Sequence, residues 1–195
     1  MLPNHATQTD PYLHECKGAS TATAGQVLTA TGSGTATFQT PASGASGSIV
    51  KSQASISTSS STGTTLIPFD NTIPQNTEGT QFITTSFTPT TTGNKLRIKV
   101  CVVGAYSVAA HVTAALFQDS NANASAASAV KINNAGDVAE ICFTYEYTTV
   151  STSAITWAVR IGGSTAGTYT YNGTAGAGLF GGVCTSSLVI EEIKA

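Results

Sequence analysis

Apolar and polar residues alternate along three segments of the C-terminal part of the chain, at 95–102, 140–147 and 155–161. In the first segment aliphatic residues hold the even positions, and three cations and Cys101 hold the odd ones. Successive side chains of a β-strand point to opposite faces, so each segment predicts a strand with one buried and one exposed face.

Five weaker segments bring the predicted number of strands to about eight, and they lie at 64–67, 81–88, 111–117, 168–171 and 186–193. Turn residues separate them, and Asn172 followed by Gly173 is the strongest hairpin signal. No window carries a sustained helical period, and we expect polar loops at 119–129 and 162–167. The prediction is an all-β fold with an eight-stranded jelly-roll sandwich over residues 49–195.

The residues before this domain fall into two parts. Residues 1–17 have no periodicity and predict an extended N-terminal arm. Residues 18–48 are rich in Gly, Thr and Ser, with few apolar residues, so a single chain could not bury enough surface to order them. This second part is therefore either a flexible linker or a neck that sister chains order by winding about a common axis.

Composition then narrows the classes of function. The chain has 33 Thr and 21 Ser but only 9% charged residues, so hydroxyl and amide groups must form much of its surface. A net charge of -2 offers no basic excess for nucleic acid or an anionic membrane, so we expect neither as a partner. No run of apolar residues is long enough to span a bilayer, and the first residues lack the pattern of a secretory signal.

Groups for catalysis are scarce, and we expect no enzyme activity, no catalytic residue and no cofactor. His5 and His14 lie in the arm, His111 begins a strand, and no nucleophile elbow is present. Glu191 and Glu192 are neighbours on a predicted strand, so they point to opposite faces and cannot form a facing pair.

Metal binding is also not expected. Cys16, Cys101, Cys142 and Cys184 are far apart with no C-x-x-C pair, so we expect mostly free thiols, with one disulfide or an interchain bond near Cys16 left open. The stretch DSNAN at 119–123 has the oxygen spacing that begins a calcium loop, but the glycine and the terminal glutamate of such a loop are missing.

Surface loops and tyrosines supply the candidates for sugar contact. Asn121 and Asn123 lie in a polar loop, and Tyr169 and Tyr171, with Tyr106, are aromatic residues in strands. Packing in the core or between subunits is the more frequent role of a strand tyrosine.

Three stretches of the chain resemble segments of known proteins. AGQVLTATGSG (24–34) followed by FQ (38–39) resembles a motif of phage fibre and appendage proteins. IPFDNTIPQNTEG (67–79) looks like the opening of a phage-encoded jelly-roll domain. LFGGV (179–183) and SLVIEEI (187–193) are similar to the last strands of that domain, whose trimers resemble tumour-necrosis-factor and complement-like jelly rolls.

The resemblance implies a homotrimeric, non-enzymatic protein of the virion surface, assembled in the host cytoplasm. Its arm would dock on a major capsid protein or a tail protein through Leu2, Pro3, His5, Tyr12, Leu13 and His14. Its neck would pack about the threefold axis through Gly25, Val27, Leu28 and Phe38.

Two versions of this role follow. The preferred one is a capsid decoration (cement) or head-fibre protein, whose arm would join neighbouring capsid subunits. The alternative is a short tail fibre or receptor-binding protein that adheres to host-surface glycans, with Asn121, Asn123, Tyr169 and Tyr171 as possible contacts. A lectin, or an enzyme with a composite site between subunits, is a third class.

Overall fold

The structure is a computed structural model that describes residues 22–32, 35–40 and 44–195. It divides into two compact units, residues 1–45 and residues 46–195. The predicted boundary before the jelly-roll domain lay at residue 49.

The described part of the first unit contains a β-hairpin. Strand β1 (Val27–Gly32) pairs antiparallel with β2 (Thr35–Gln39), and Leu28 lies opposite Phe38. We predicted no strand here, and the structure differs because the two stretches satisfy their backbone groups by pairing with each other. Val27 and Leu28 stay about half exposed, at 49% and 45%.

The second unit is all-β, with antiparallel sheets and one short 3-10 turn at Phe180–Gly182. Its strands are β3 (Ile49–Ser57), β4 (Ser61–Gly63), β5 (Thr80–Phe87), β6 (Lys95–Tyr106), β7 (Ala110–Gln118), β8 (Ala126–Ile132), β9 (Val138–Thr148), β10 (Ile155–Gly163), β11 (Tyr169–Tyr171), β12 (Gly173–Thr174), β13 (Ala177–Gly178) and β14 (Ser186–Ile193). In the part of the chain that the structure describes, no helix is long and apolar enough to cross a membrane.

Two sheets form the body of this unit. One has the strand order β5-β10-β7-β8, and the other contains β3-β14-β6, with β9 on the opposite edge of β6. The short strand β11 continues the β14 edge by pairing with β6 at residues 104–106, and β4 pairs with β11. This order is compatible with a jelly-roll-like sandwich.

The core lies between the sheets. Leu96, Ile98 and Trp157 are fully buried, as the alternating pattern predicts for β6 and β10. Ile141 is buried and the aromatic residues that follow it on β9 pack against the same core. The prediction for the alternating segment at 140–147 is therefore also confirmed.

Strand direction gives the sandwich two distinct ends. The chain joins β3 at the end where Gly47 and Ser48 pair with Lys194, which we call the near end, and loops 88–94, 119–125 and 149–154 lie there. Loops 107–109, 133–137 and 164–185 lie at the opposite end, which we call the far end.

Residues 64–79, which we call the covering segment, cross the outer face of the four-stranded sheet. Ile67 is fully buried there against Ala115 and Phe117 of β7. The ring of Phe69 stacks on His111 with 3.9 Å between centroids. The prediction of a strand at 64–67 was therefore wrong. These residues belong to the covering segment, in which Ile67 packs on β7, and the nearby strand β4 ends before them at Gly63.

Two further corrections concern segments with weak patterns. Strands β3 and β8 were not predicted, since they carry mainly Ser, Ala, Gln and Lys, and β8 lies where we expected a loop. The tight turn of the small hairpin β12-β13 is at Ala175 and Gly176, both with positive φ, and not at Asn172.

Candidate functional site

A cavity of about 480 Å³ opens at the far end of the sandwich. Its lining comes from strands β6 and β11 and from the loops beside them: Ala105, Tyr106, Ser107, Ala135, Gly136, Thr168, Thr170, Ala175 and Gly176. This volume is within the range of small-molecule sites. The lining residues are small or carry hydroxyl groups.

A buried asparagine fixes the loop that forms one wall. Asn172 is fully buried, and its Nδ2 donates to the carbonyl oxygens of Ser57 at 2.8 Å and Ser59 at 3.2 Å. Its Oδ1 accepts from the Ser186 hydroxyl at 2.6 Å. Asn172 has a positive φ of 50°, which its side chain stabilises by binding two backbone carbonyls and one hydroxyl group.

Hydrogen bonds also tie the walls of the cavity to one another. Thr174 Oγ1 donates to the Gly136 carbonyl at 3.1 Å, and the Gly136 amide donates to the Tyr106 carbonyl at 2.8 Å. The Thr168 amide donates to Ser107 Oγ at 2.8 Å. No lining residue is charged.

Tyr169 and Tyr171 lie beneath this region and not on it. They are 2% and 1% exposed and belong to the core, where both rings lie close to Phe82. Burial, together with the neighbouring Tyr171 and Cys184, raises the pKa of the Tyr169 hydroxyl far above its usual range. Our prediction that these two tyrosines contact glycan was wrong, because their position on the inner face of the sheet closes them to solvent.

Asn121 and Asn123 are exposed at the near end. The Asn123 side-chain oxygen accepts from Gln75 Nε2 at 3.0 Å, and the Asn121 carbonyl accepts from Asn76 Nδ2 at 3.1 Å. Both residues thus hold the covering segment, beside a shallow groove of about 420 Å³. Asp119, which begins the calcium-like stretch, accepts from the Thr156 amide at 2.8 Å. The glycan role of Asn121 and Asn123 stays a prediction.

The two cysteines of the alternating strands face each other on the outer side of the six-stranded sheet. Cys101 of β6 and Cys142 of β9 form a disulfide, with their Cα atoms 4.2 Å apart. The expectation of free thiols was therefore wrong for this pair, because the register brings together residues that are 41 positions apart. Cys184 is free, as predicted, and its side chain is buried.

The carboxylate of Glu140 joins this pair. Cys101 Sγ and Glu140 Oε1 are 3.1 Å apart, and one ligand atom from each of Glu140, Cys101 and Cys142 lies within 4.8 Å of the others. Sequence spacing did not reveal this cluster, because its two cysteines come from separate strands. The alternation of β6 and β9 placed both on an exposed face, and only the register was missing.

The remaining predicted site residues divide between described and undescribed parts of the chain. The arm residues lie outside the described residues: Leu2, Pro3, His5, Tyr12, Leu13 and His14. Of the neck residues, Gly25 has a φ of 90° before β1, and Phe38 is half-buried in β2. Glu191 and Glu192 point to opposite faces as predicted, and Glu192 is fully buried.

Comparison with known proteins gives only distant structural similarity. No protein family and no curated protein match the chain by sequence. Similar solved structures include dimeric latent PorU from Porphyromonas gingivalis, at 8% identity and a TM-score of 0.38, over 78% of this chain and 14% of that one. They also include the Gt strain of infectious bursal disease virus, at 14% identity and a TM-score of 0.36, over 83% and 40% of the two chains.

A third similar structure is the VP2 subviral particle of the same virus, at 13% identity and a TM-score of 0.30, over 86% and 42% of the two chains. The structural neighbours thus include viral capsid proteins, and this chain spans less than half the length of each of the three. Similarity at this level carries no argument about function.

Proposed function

We propose that the chain is a non-enzymatic structural protein of a phage virion surface, and that it acts as a capsid decoration or head-fibre protein. In this proposal β3, β5 to β10 and β14 are the eight strands of a jelly roll, and the protein is a homotrimer. The N-terminal arm docks on a major capsid protein, and the jelly roll projects outward.

The observation that carries the proposal is the polarity of the sandwich. The chain joins β3 at the near end, while the cavity and the connection between β10 and β14 lie at the far end. A module of this kind is suited to being held through its N-terminal segment while it presents the opposite end. The sequence resemblance to phage appendage proteins supports the same orientation.

The hairpin β1-β2 supports the homotrimer. A two-stranded hairpin is marginally stable alone in water, and Val27 and Leu28 are about half exposed on this one. Sister hairpins packed about a common axis would bury these side chains. Mass photometry of the full chain should give three times the chain mass, and a stable monomer would contradict this part of the proposal.

Two experiments on particles test the role itself. Deletion of residues 1–17 should leave a folded protein that no longer joins virions, whereas normal incorporation would overturn docking by the arm. Gold labels on a C-terminal tag should cover the head of intact particles. Labels confined to the tail would instead support the second candidate below.

The second candidate is a short tail fibre or receptor-binding protein, and the far-end cavity is the observation that favours it. The cavity has an uncharged lining with hydroxyl groups, which suits a neutral saccharide. The exposed Ala135 lines the cavity, and a tryptophan at that position would fill it.

The test of this candidate is a neutral-glycan array with the intact protein. Binding that Ala135→Trp removes and Ala122→Trp retains would support it, since Ala122 is an exposed alanine at the near end. Retention of binding in Ala135→Trp would exclude the cavity as the receptor site.

A further inference from the structure

The disulfide on the outer sheet face forms a second, chemically distinct site together with Glu140. Cys101 and Cys142 are directly opposite on β6 and β9, and Glu140 lies two residues before Cys142, so all three side chains point to the same face. Glu140 and Cys142 are exposed and Cys101 is half-buried, so the site is open to solvent.

The backbone holds the cluster in place whether or not the disulfide is formed. Strands β6 and β9 pair over an uninterrupted register from Lys95 opposite Thr148 to Ala105 opposite Val138. The cysteine pair is in the interior of this ladder, so reduction would free the sulfur atoms without releasing the strands. Reduction adds two electrons and two protons and gives two thiols, while two molecules of a small-thiol reductant become one disulfide.

The reduced cluster has the donor atoms that a thiophilic divalent cation prefers. Zinc binds thiolate sulfur at about 2.3 Å and carboxylate oxygen at about 2.1 Å, which places the ligand atoms of a tetrahedral site about 3.5 Å apart. The two sulfur atoms are bonded to each other in the disulfide, and the Glu140 oxygen lies 3.1 Å from Cys101 Sγ. After reduction the sulfur atoms must therefore move apart to about 3.5 Å, which rotation of the cysteine side chains provides while the three ligand atoms stay within one cluster. The fourth position would face water.

Charge favours the same occupant. The reduced, deprotonated cluster carries two thiolates and one carboxylate, and the nearest cation on the same face of β6 is engaged elsewhere. Lys99 Nζ lies 2.9 Å from Glu191 Oε2 on β14. The cluster therefore has a negative charge that a bound cation would neutralise.

We propose that Cys101, Cys142 and Glu140 bind one zinc-like divalent cation when the disulfide is reduced, and that the metal and the disulfide exclude each other. Binding displaces the two thiol protons to solvent, so affinity rises with pH. In a reducing cytoplasm the chain would carry the ion, and loss of the ion would leave the cysteines free to form the disulfide. This proposal is independent of the virion role.

The test is titration of the reduced full chain with Co²⁺, followed by competition with Zn²⁺, in a Cys16→Ser background that removes the arm thiol. The expected result is one cobalt per chain with near-ultraviolet thiolate-to-cobalt absorption, which Zn²⁺ abolishes. The oxidised protein should show no such absorption. A reduced protein that keeps its β-sheet circular dichroism but gives no charge-transfer absorption would overturn the proposal.

Variants assign the ligands. Cys142→Ser should abolish the absorption, and Glu140→Gln should weaken binding by at least the roughly tenfold that changes around a metal site typically cause. Cys184→Ala, which removes the buried free thiol, should bind like the parent, and loss of binding in this variant alone would contradict the assignment.

If Cys142→Ser does not fold, alkylation of the chain that retains both cysteines gives the same answer. Zn²⁺ should slow modification of Cys101 and Cys142 in the reduced protein, as read by mass spectrometry. Equal alkylation rates with and without Zn²⁺ would overturn the proposal.

Discussion

The outer faces of the two sheets are built in opposite ways. The four-stranded sheet is covered by residues 64–79, which bury Ile67 against β7, whereas the six-stranded sheet leaves its outer face open. The open face carries ion pairs, the disulfide and isolated apolar residues such as Ile56, which is 65% exposed. A strand can therefore be buried on one or on both faces in the same sandwich, and its sequence differs accordingly.

Strands β7 and β6 show this difference. Strand β7 has a run of six buried residues, because the core lies on one side of it and the covering segment on the other. Strand β6 alternates buried and more exposed positions over most of its length, because only one side faces the core. The covered face is thus a second apolar interface, and the open face contributes to stability through the disulfide and the ion pairs.

Ile67→Ala should have the largest effect, with a loss of about 4 kcal/mol in the free energy of unfolding, because it empties a fully buried site. The matched variant on the open face, Ile56→Ala, should change it by less than about 0.5 kcal/mol. Urea denaturation of both variants measures the difference. Equal effects would show that residues 64–79 do not form a second apolar interface.

Loss of the disulfide should have the second-largest effect on stability, although the cysteine pair lies on the open face. A double variant, Cys101→Ser with Cys142→Ser, should lose about 3 kcal/mol in oxidising buffer, because a crosslink across 41 residues restricts the unfolded chain. The double variant and the parent should be equally stable in reducing buffer. A difference that persists after reduction would mean that the cysteines act through native packing.

The position of the covering segment depends on a glycine in the sheet below it. A Cβ atom at Gly162 would lie 2.6 Å from the Thr65 carbonyl oxygen and 2.8 Å from the Ile67 amide nitrogen. Gly162→Ala should therefore cost about 2 kcal/mol, since backbone must move. The control is Gly178→Ala, whose Cβ would meet only the Ser60 side chain, at 3.5 Å or more, and it should be near neutral in thermal unfolding.

How far the sequence predicts this fold depends on what each strand packs against. Strands β6, β9 and β10 were predicted because one side of each faces the core and the other does not. Strand β3 was missed because it pairs only with β14 in its sheet and carries polar residues such as Lys51 and Gln53 on its inner side. The covering segment has no regular alternation of apolar and polar residues, because the shape of the sheet beneath it determines which of its side chains are buried.

The candidate sites were harder to predict than the strands. The cavity is lined by Tyr106 and by small residues from β6, β11 and three separate loops, and no local pattern connects them. The cysteine cluster depends on the register between β6 and β9, which is set by two intervening strands and their turns. Local sequence determines which face a residue points to, while the partner across the sheet depends on the whole topology.

Two neighbouring carboxylates on β14 lie in different environments, one in the interior and one on the open face. Glu192 is buried and accepts hydrogen bonds from Asn94 Nδ2 at 2.8 Å and from the Thr90 amide at 2.9 Å, while Glu191 pairs with Lys99. Burial alone would raise the pKa of Glu192, but the hydrogen bonds from Asn94, Thr90 and Thr91 lower it below its usual value of 4.5. A carboxyl with a lowered folded-state pKa stabilises the fold above its unfolded-state pKa.

Glu192→Gln should therefore cost about 1.5 kcal/mol at pH 7, since its donors lose a charged acceptor. The gap from the parent should close as the pH falls below about 4.5 and through the folded-state pKa, because protonation then removes the same charge from the parent. Glu191→Gln should change stability by less than about 0.5 kcal/mol. A gap for Glu192→Gln that is independent of pH would contradict the role of its ionised form.

The smallest effect should come from the ion pair on the open face. Arg97 Nη2 lies 3.2 Å from Glu146 Oε1, and the two side chains are 41% and 48% exposed, so water and salt screen their attraction. Arg97→Ala should cost no more than about 0.5 kcal/mol in low salt, and less in high salt. A loss several times larger that does not respond to salt would mean that the open face is packed against another surface in solution. The distinction between a covered and an open sheet would then hold only for the isolated chain.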